Sequence, residues 1–179
     1  MWIPIVLALI AAAIIFLYNG LVRLRVQCDS AWADIDVQLK RRHDLIPNLV
    51  ETVKGYAAHE AQTLDAVIRA RSRAMSAEGP AARGAAEGEL TQALRTLFAL
   101  AEAYPQLRAS ENFAELQRTL AVIEDAIQNA RRYYNAVVRD LNTKVAQFPS
   151  NLVATWFRIR PRGFFEIDGA ERAVPQVRF

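Results

Sequence analysis

The first apolar run of the chain is unbroken. From Trp2 to Val22 no residue is charged, and twelve positions are Ile, Leu, Val or Phe. About 21 helical residues at 1.5 Å each cover the roughly 30 Å of a bilayer's hydrocarbon core. Twelve such side chains, at roughly −0.3 to −0.6 kcal/mol each near the centre, sum to roughly −4 to −7 kcal/mol in favour of insertion. Pro4 falls in the first turn, where a missing N–H costs little, and Trp2 and Tyr18 suit the two interfaces. A cleaved signal peptide needs a basic start, a shorter apolar run and a small-residue site after it. Ala11-Ala12-Ala13 lies inside the run, and Cys28 follows Arg23 and Arg25, badly placed for lipoprotein processing. The pattern predicts an uncleaved transmembrane anchor.

Beyond Val22 the apolar residues recur at helical spacing. The clearest series is Phe113, Leu116, Leu120, Ile123, Ile127, Ala130, Tyr134, Val137, Leu141, Val145 and Phe148, in steps of three and four. Ser110 is placed to cap this helix, Glu111 lies in its first turn and Pro149 marks its end, predicting about 38 residues and roughly 57 Å. So narrow a stripe reads first as a bundle seam and second as an intermolecular coiled coil. Upstream, Leu21, Leu24, Cys28, Ala31, Ile35 and Leu39 continue the anchor's helix, and Leu49, Val53, Tyr56 and Leu64 form a second run. Between them an interruption is expected: Lys40, Arg41, Arg42 and His43 suit a helix C-terminus, and Asp44 can cap a new helix with Pro47 in its first turn. A kink and a full reversal are both open at this point.

Ala74 to Glu89, with Gly79-Pro80, Gly84 and Gly88, reads as a loop or frayed helix start, after which Leu90, Leu94, Leu97, Phe98 and Ala101 mark a helix ended by Pro105. Leu152, Val153, Trp156 and Phe157 suggest a last helical turn or two, and Arg158 to Phe179 an extended tail that packs on something. The expected fold is all-α, with one N-terminal transmembrane helix, then an antiparallel four-helix-bundle-like domain with long helices, then the tail. The expected divisions are 1–22 anchor, 23–157 bundle and 158–179 tail.

Four blocks now carry a resemblance. They are Ala31-Trp32 with Ile35-Asp36-Val37-Gln38-Leu39-Lys40-Arg41-Arg42; Asp44-Leu45-Ile46-Pro47-Asn48-Leu49-Val50 through Val53-Lys54-Gly55-Tyr56 to His59-Glu60; Leu97-Phe98-Ala99-Leu100-Ala101-Glu102-Ala103-Tyr104-Pro105; and Asn112-Phe113 with Leu116-Gln117. Ala130-Arg131, Tyr134-Asn135, Phe148-Pro149, Phe164-Phe165-Glu166, Pro175, Val177 and Phe179 follow in order. In these the chain resembles the LemA family of bacterial membrane proteins over nearly everything after the anchor. The resemblance implies an N-terminal membrane helix and an antiparallel helical bundle, and it brings no catalytic residues.

Charge and composition change the picture only locally. A net charge of +3 is small beside 22 basic and 19 acidic residues, so a global field for nucleic acid is not indicated. The single Cys28 excludes an internal disulfide framework and a Cys-rich metal site, and fits a reducing compartment. Its place on the apolar phase predicts a buried, inert thiol. Arg23 and Arg25, then Lys40, Arg41 and Arg42, all follow the apolar run, and only Met1 precedes Trp2. The positive-inside rule thus predicts a short N-terminus outside and the main domain in the cytoplasm.

Candidate chemistry is thin. His59-Glu60 could supply a base or metal ligand, but helix neighbours point about 100° apart, and the only other imidazole is His43. Structural roles are favoured for both, and Asp44-Leu45-Ile46-Pro47 is read as a helix boundary before a recognition motif. Lys40-Arg41-Arg42 have the charge to attract anionic headgroups, yet a straight helix carries them roughly 27 Å beyond Val22, well past a Debye length of about 8 Å. Gly79-Pro80 and Gly84 lack the ending of a phosphate loop. Arg158, Arg160 and Arg162 interleave with Trp156, Phe157, Phe164 and Phe165, a composition suited to lipid or protein docking before RNA. The sequence assigns no catalytic, cofactor or metal residue. It predicts a non-catalytic interaction or assembly platform at the bacterial inner membrane, whose partners are the bilayer and other proteins or copies of itself. Nucleic acid and small-molecule substrates are not expected. An oligomeric scaffold that organises or remodels the membrane is the alternative, and a membrane-bound hydrolase using His59 and Glu60 comes third.

Overall fold

A computed structural model describes residues 2–166 of the 179. Every regular element among them is a helix: α1 Trp2–Lys54, α2 Ala61–Ser76, α3 Pro80–Ala101, α4 Pro105–Arg108, α5 Glu111–Ala146 and α6 Ser150–Trp156. They fall into two compact units. The first takes residues up to Asp36 with Asn129–Phe164, and the second Val37–Gln128 with Phe165 and Glu166.

The expected interruption at His43-Asp44 is absent, because α1 is one helix of 53 residues with Pro47 inside it. Two observations explain its survival. The buried phase runs Leu39, Arg42, Ile46, Leu49, Val53 in unbroken steps of three and four, so the stripe passes through the basic run. An interior proline also strips the carbonyl four residues earlier of its hydrogen bond, a loss worth about 3 kcal/mol with the accompanying clash. Here that carbonyl belongs to His43, and the Arg71 Nε–H of α2 donates to it at 2.7 Å. Asp44, cast as a cap, instead accepts from Lys40 one turn back at 2.7 Å.

The stretch from Ala74 to Glu89, expected as a loop or frayed helix start, is mostly helical. Helix α2 continues to Ser76 and α3 starts at Pro80. Pro80 occupies the first helical position, where its fixed φ and missing N–H are no handicap, after Gly79 at φ +80°. Gly84 is buried inside α3 for a different reason, since a Cβ there would collide with the backbone carbonyl of Glu166.

The second unit closes around Ile46, Leu49 and Val53 of α1, Leu64 and Val67 of α2, Leu90, Leu94 and Leu97 of α3, and Phe113 and Leu120 of α5. Phe165 is fully buried in this unit, as expected of a packed tail. Of the tail's other large apolar residues expected to pack, Phe164 is exposed, and Val174, Val177 and Phe179 lie outside the described residues. Replacing Gly84 by Ala should push the Glu166 backbone away and undock Phe165, costing roughly 1.5–3 kcal/mol of burial. Urea unfolding checks this; an unchanged midpoint would mean that the segment does not dock there.

In the first unit Leu21, Cys28, Ala31 and Ile35 of α1 and Tyr134, Val137, Val138 and Leu141 of α5 are buried. The Tyr134 ring packs tilted against Trp32, centroids 5.3 Å apart, and its hydroxyl donates to the Gly163 carbonyl at 3.0 Å. Asn142 grips Arg162 through two backbone bonds of 2.8 and 2.9 Å, and the Arg162 guanidinium pairs with Asp29 at 2.6 Å. The expected seam of α5 is buried or half-buried as far as Val145. Phe148 is exposed, because α5 ends at Ala146 before that position can face inward.

Candidate functional site

The most polar buried place lies in the second unit, where seam positions carry charge. Arg42 follows Leu39 by three residues and Glu87 precedes Leu90 by three, so helical phase sends both inward; they are 3% and 0% exposed. His43 is buried beside them. The His43 Nε2–H donates to Glu87 Oε1 at 2.7 Å, and one terminal nitrogen of Arg42 donates to Glu87 Oε2 at 3.3 Å. The other Arg42 nitrogen donates to Thr91 Oγ1 at 2.7 Å and lies 3.5 Å from Glu124 of α5. One carboxylate thus serves two donors on α1, and one guanidinium joins α1, α3 and α5.

Each oxygen of Glu87 accepts one of these hydrogen bonds, so the carboxylate is tied to α1 at both ends. Beside Arg42 opens a cleft of about 280 Å³ that also includes Leu94, Phe98, Leu120 and the exposed Arg95 and Gln117. That is at or below the small end of ligand pockets, which run from about 300 to 1,000 Å³. Among the described residues no three His, Cys, Asp or Glu side chains gather as a metal site. The arrangement can fix the register of three helices, and its geometry offers no nucleophile paired with a base.

The residues singled out by sequence do not converge on it. His59 is exposed in the connection between α1 and α2, and Glu60 accepts from the Tyr104 hydroxyl at 2.9 Å. That hydrogen bond raises the Tyr104 pKa. His43 faces Glu87 instead of His59. Of Lys40-Arg41-Arg42, the first two are exposed, while Arg42 is a core residue and not a headgroup ligand. The hydrogen bond from Lys40 holds the Asp44 carboxyl below its usual range. Cys28 is buried, and burial pushes its thiol pKa up; burial likewise raises the Tyr134 phenol.

Sequence reasoning missed Arg42, His43, Glu87 and Thr91 as one constellation. The signal was the uninterrupted phase through Arg42, together with Glu87 on the phase of Gly84, Leu90 and Leu94.

All of these residues fall within positions 31–179, which match the sequence profile of the LemA family. The chain belongs to the LemA family. The match begins after the apolar run, so residues 2–30 are outside it. Protein LemA of Metamycoplasma hominis is 25% identical over 158 residues, 86% of this chain and 71% of that protein. Magnetosome protein MamQ 2 of Paramagnetospirillum magneticum is 24% identical over 169 residues, 80% of this chain and 62% of that protein. Magnetosome protein MamQ of Magnetospirillum gryphiswaldense is 23% identical over 177 residues, 83% and 65% respectively. The chain spans less than two thirds of either MamQ protein.

Proposed function

We propose that this LemA-family chain is a membrane-anchored, non-catalytic platform that presents a helical bundle to partner proteins at the bacterial inner membrane. The observation that carries the reading is the continuity of α1. One helix starts in an apolar run with a mean hydropathy of 2.6, long enough to cross a membrane, and runs through Arg42 and Pro47 into the core of the second unit. The division into anchor 1–22, bundle 23–157 and tail 158–179 belongs to this proposal, as does an antiparallel four-helix-like bundle. The pairing of Trp32 with Tyr134, and of Gly20 with Lys144 ten residues further along α5, supports α1 and α5 running in opposite directions.

The exposed Arg23 and Arg25 just beyond the apolar run support a cytoplasmic domain and an outside N-terminus. The protein should stay in the membrane pellet through carbonate and high-salt washing, since about twelve apolar side chains, and not screened charge, hold it there. A reporter fused after Phe179 should then report the cytoplasm. Release by salt would defeat the anchor, and an external reporter would defeat the orientation.

A second reading is an oligomeric scaffold that organises the membrane. It draws on Ile68 and Met75, exposed and one heptad apart on α2, which suit a self-contact. Sedimentation in detergent separates the readings: discrete small species favour the platform, large assemblies the scaffold.

A further inference from the structure

The short helix α6 raises a question that a cytoplasmic bundle does not answer. Its Val153 and Ala154 are buried, but Leu152 is 62% and Trp156 84% exposed, and Phe148 just ahead of it is 74% exposed. So much large apolar surface on a seven-residue helix is costly in water, at roughly 25 cal/mol per Å². Its neighbour is the apolar run of α1. Phe157 packs on Tyr18 with ring centroids 4.4 Å apart. A groove of about 560 Å³ opens between Ile10, Ile14 and Leu17 of α1 and Leu152, Trp156 and Phe157.

We infer that α6 inserts, beside the anchor, into the membrane leaflet from which α1 emerges, and that acyl chains of anionic phospholipid fill the groove between them. The inference rests on the anchor reading of α1. If Ile10 to Leu17 lie in hydrocarbon, whatever faces them across the groove shares their depth. The polar groups of the segment are prepared for that depth, where an unsatisfied donor costs several kcal/mol. The Ser150 hydroxyl contacts the Lys144 and Gln147 carbonyls at 2.6 and 2.9 Å, and the Thr155 hydroxyl donates to the Asn151 carbonyl at 2.8 Å. At the end of α6 the Arg158 N–H donates to Thr155 and the Ile159 N–H to Ala154, at 3.2 and 2.8 Å, closing the last carbonyls in a Schellman turn. Asn151 is the exception, its buried Oδ1 having no donor among the described residues.

The charge around the segment matches an anionic headgroup layer. Arg158 and Arg160 follow α6, Arg23 and Arg25 follow the apolar run, and Lys144 lies against Gly20; Asp140 is the acidic group beside Arg23 and Lys144. Arg158 sits at φ +54°, a left-handed conformation that suits Gly and strains Arg. A side chain kept at such a position is consistent with use of its guanidinium, here as a phosphate ligand.

Three tryptophans make the test direct. In the full-length protein with Trp2→Phe and Trp32→Phe, Trp156 is the sole reporter, and a companion with Leu9→Trp and Trp156→Phe reports the middle of the anchor. Both are reconstituted in phosphatidylcholine/phosphatidylglycerol vesicles with brominated acyl chains. Trp156 should be blue-shifted and lose most of its emission to the bromines, as should the anchor reporter. Leu152→Asp, at an exposed position, should return Trp156 emission toward that of water and leave the anchor reporter quenched. Quenching of the anchor reporter with unquenched, water-like Trp156 would overturn the inference and leave the anchor standing. Failure of both to quench would overturn the two together.

Discussion

Replacing Glu87 by Ala should destabilise the second unit by about 3–5 kcal/mol, the usual effect of removing one partner from a buried ion pair. The carboxylate is wholly buried and contacts both Arg42 and His43. Without it, a guanidinium 3% exposed retains one hydroxyl and a half-buried carboxylate at 3.5 Å. Most of the loss comes from stranding that charge, and not from forgoing a strong bond. The double variant Arg42→Met/Glu87→Leu should therefore recover most of the loss, because apolar replacement of a buried pair is often neutral or stabilising by about 1–4 kcal/mol. Urea unfolding of the three proteins measures it. A single-variant loss within about 0.5 kcal/mol, the range of surface substitutions, would mean that water reaches the cluster.

Ile127→Asp should be comparably severe. Ile127 is fully buried on the long seam of α5, so the change removes a large apolar side chain, worth about 2–5 kcal/mol on truncation, and buries a carboxylate without a partner. Arg139→Ala, on the exposed face of the same helix, should shift stability by no more than about 0.5 kcal/mol. Thermal or urea melts of the pair give the contrast. Equal effects would mean that the seam faces water.

Much of the fold was legible because apolar periodicity reports burial directly. The α5 series from Phe113 to Val145 and the α1 series from Leu21 to Leu39 needed only the helical repeat. What failed to read was charge on that repeat. Four consecutive basic or imidazole residues followed by Asp44 and Pro47 have the composition of a helix end, and local composition cannot announce that Glu87, 45 positions away from Arg42, supplies the counter-charge. The same holds for Pro47, whose cost is met by Arg71 from another helix. The glycines were ambiguous between a loop and a frayed helix start, whereas Gly84 lies within α3 and marks a close approach of the Glu166 backbone. The candidate site was invisible for that reason: it is built of residues whose local reading pointed outward.

The central claim is that anchor and core share one unbroken helix across His43-Asp44. Spin labels at Val37 and Lys54, both exposed, with Cys28→Ala, measure it by double electron–electron resonance on the full-length protein in vesicles. At 1.5 Å per residue, continuous helix places the two backbones about 26 Å apart. A narrow distribution near that distance is the expected result, and a population centred below about 15 Å, as a chain reversal at Asp44 would produce, contradicts it.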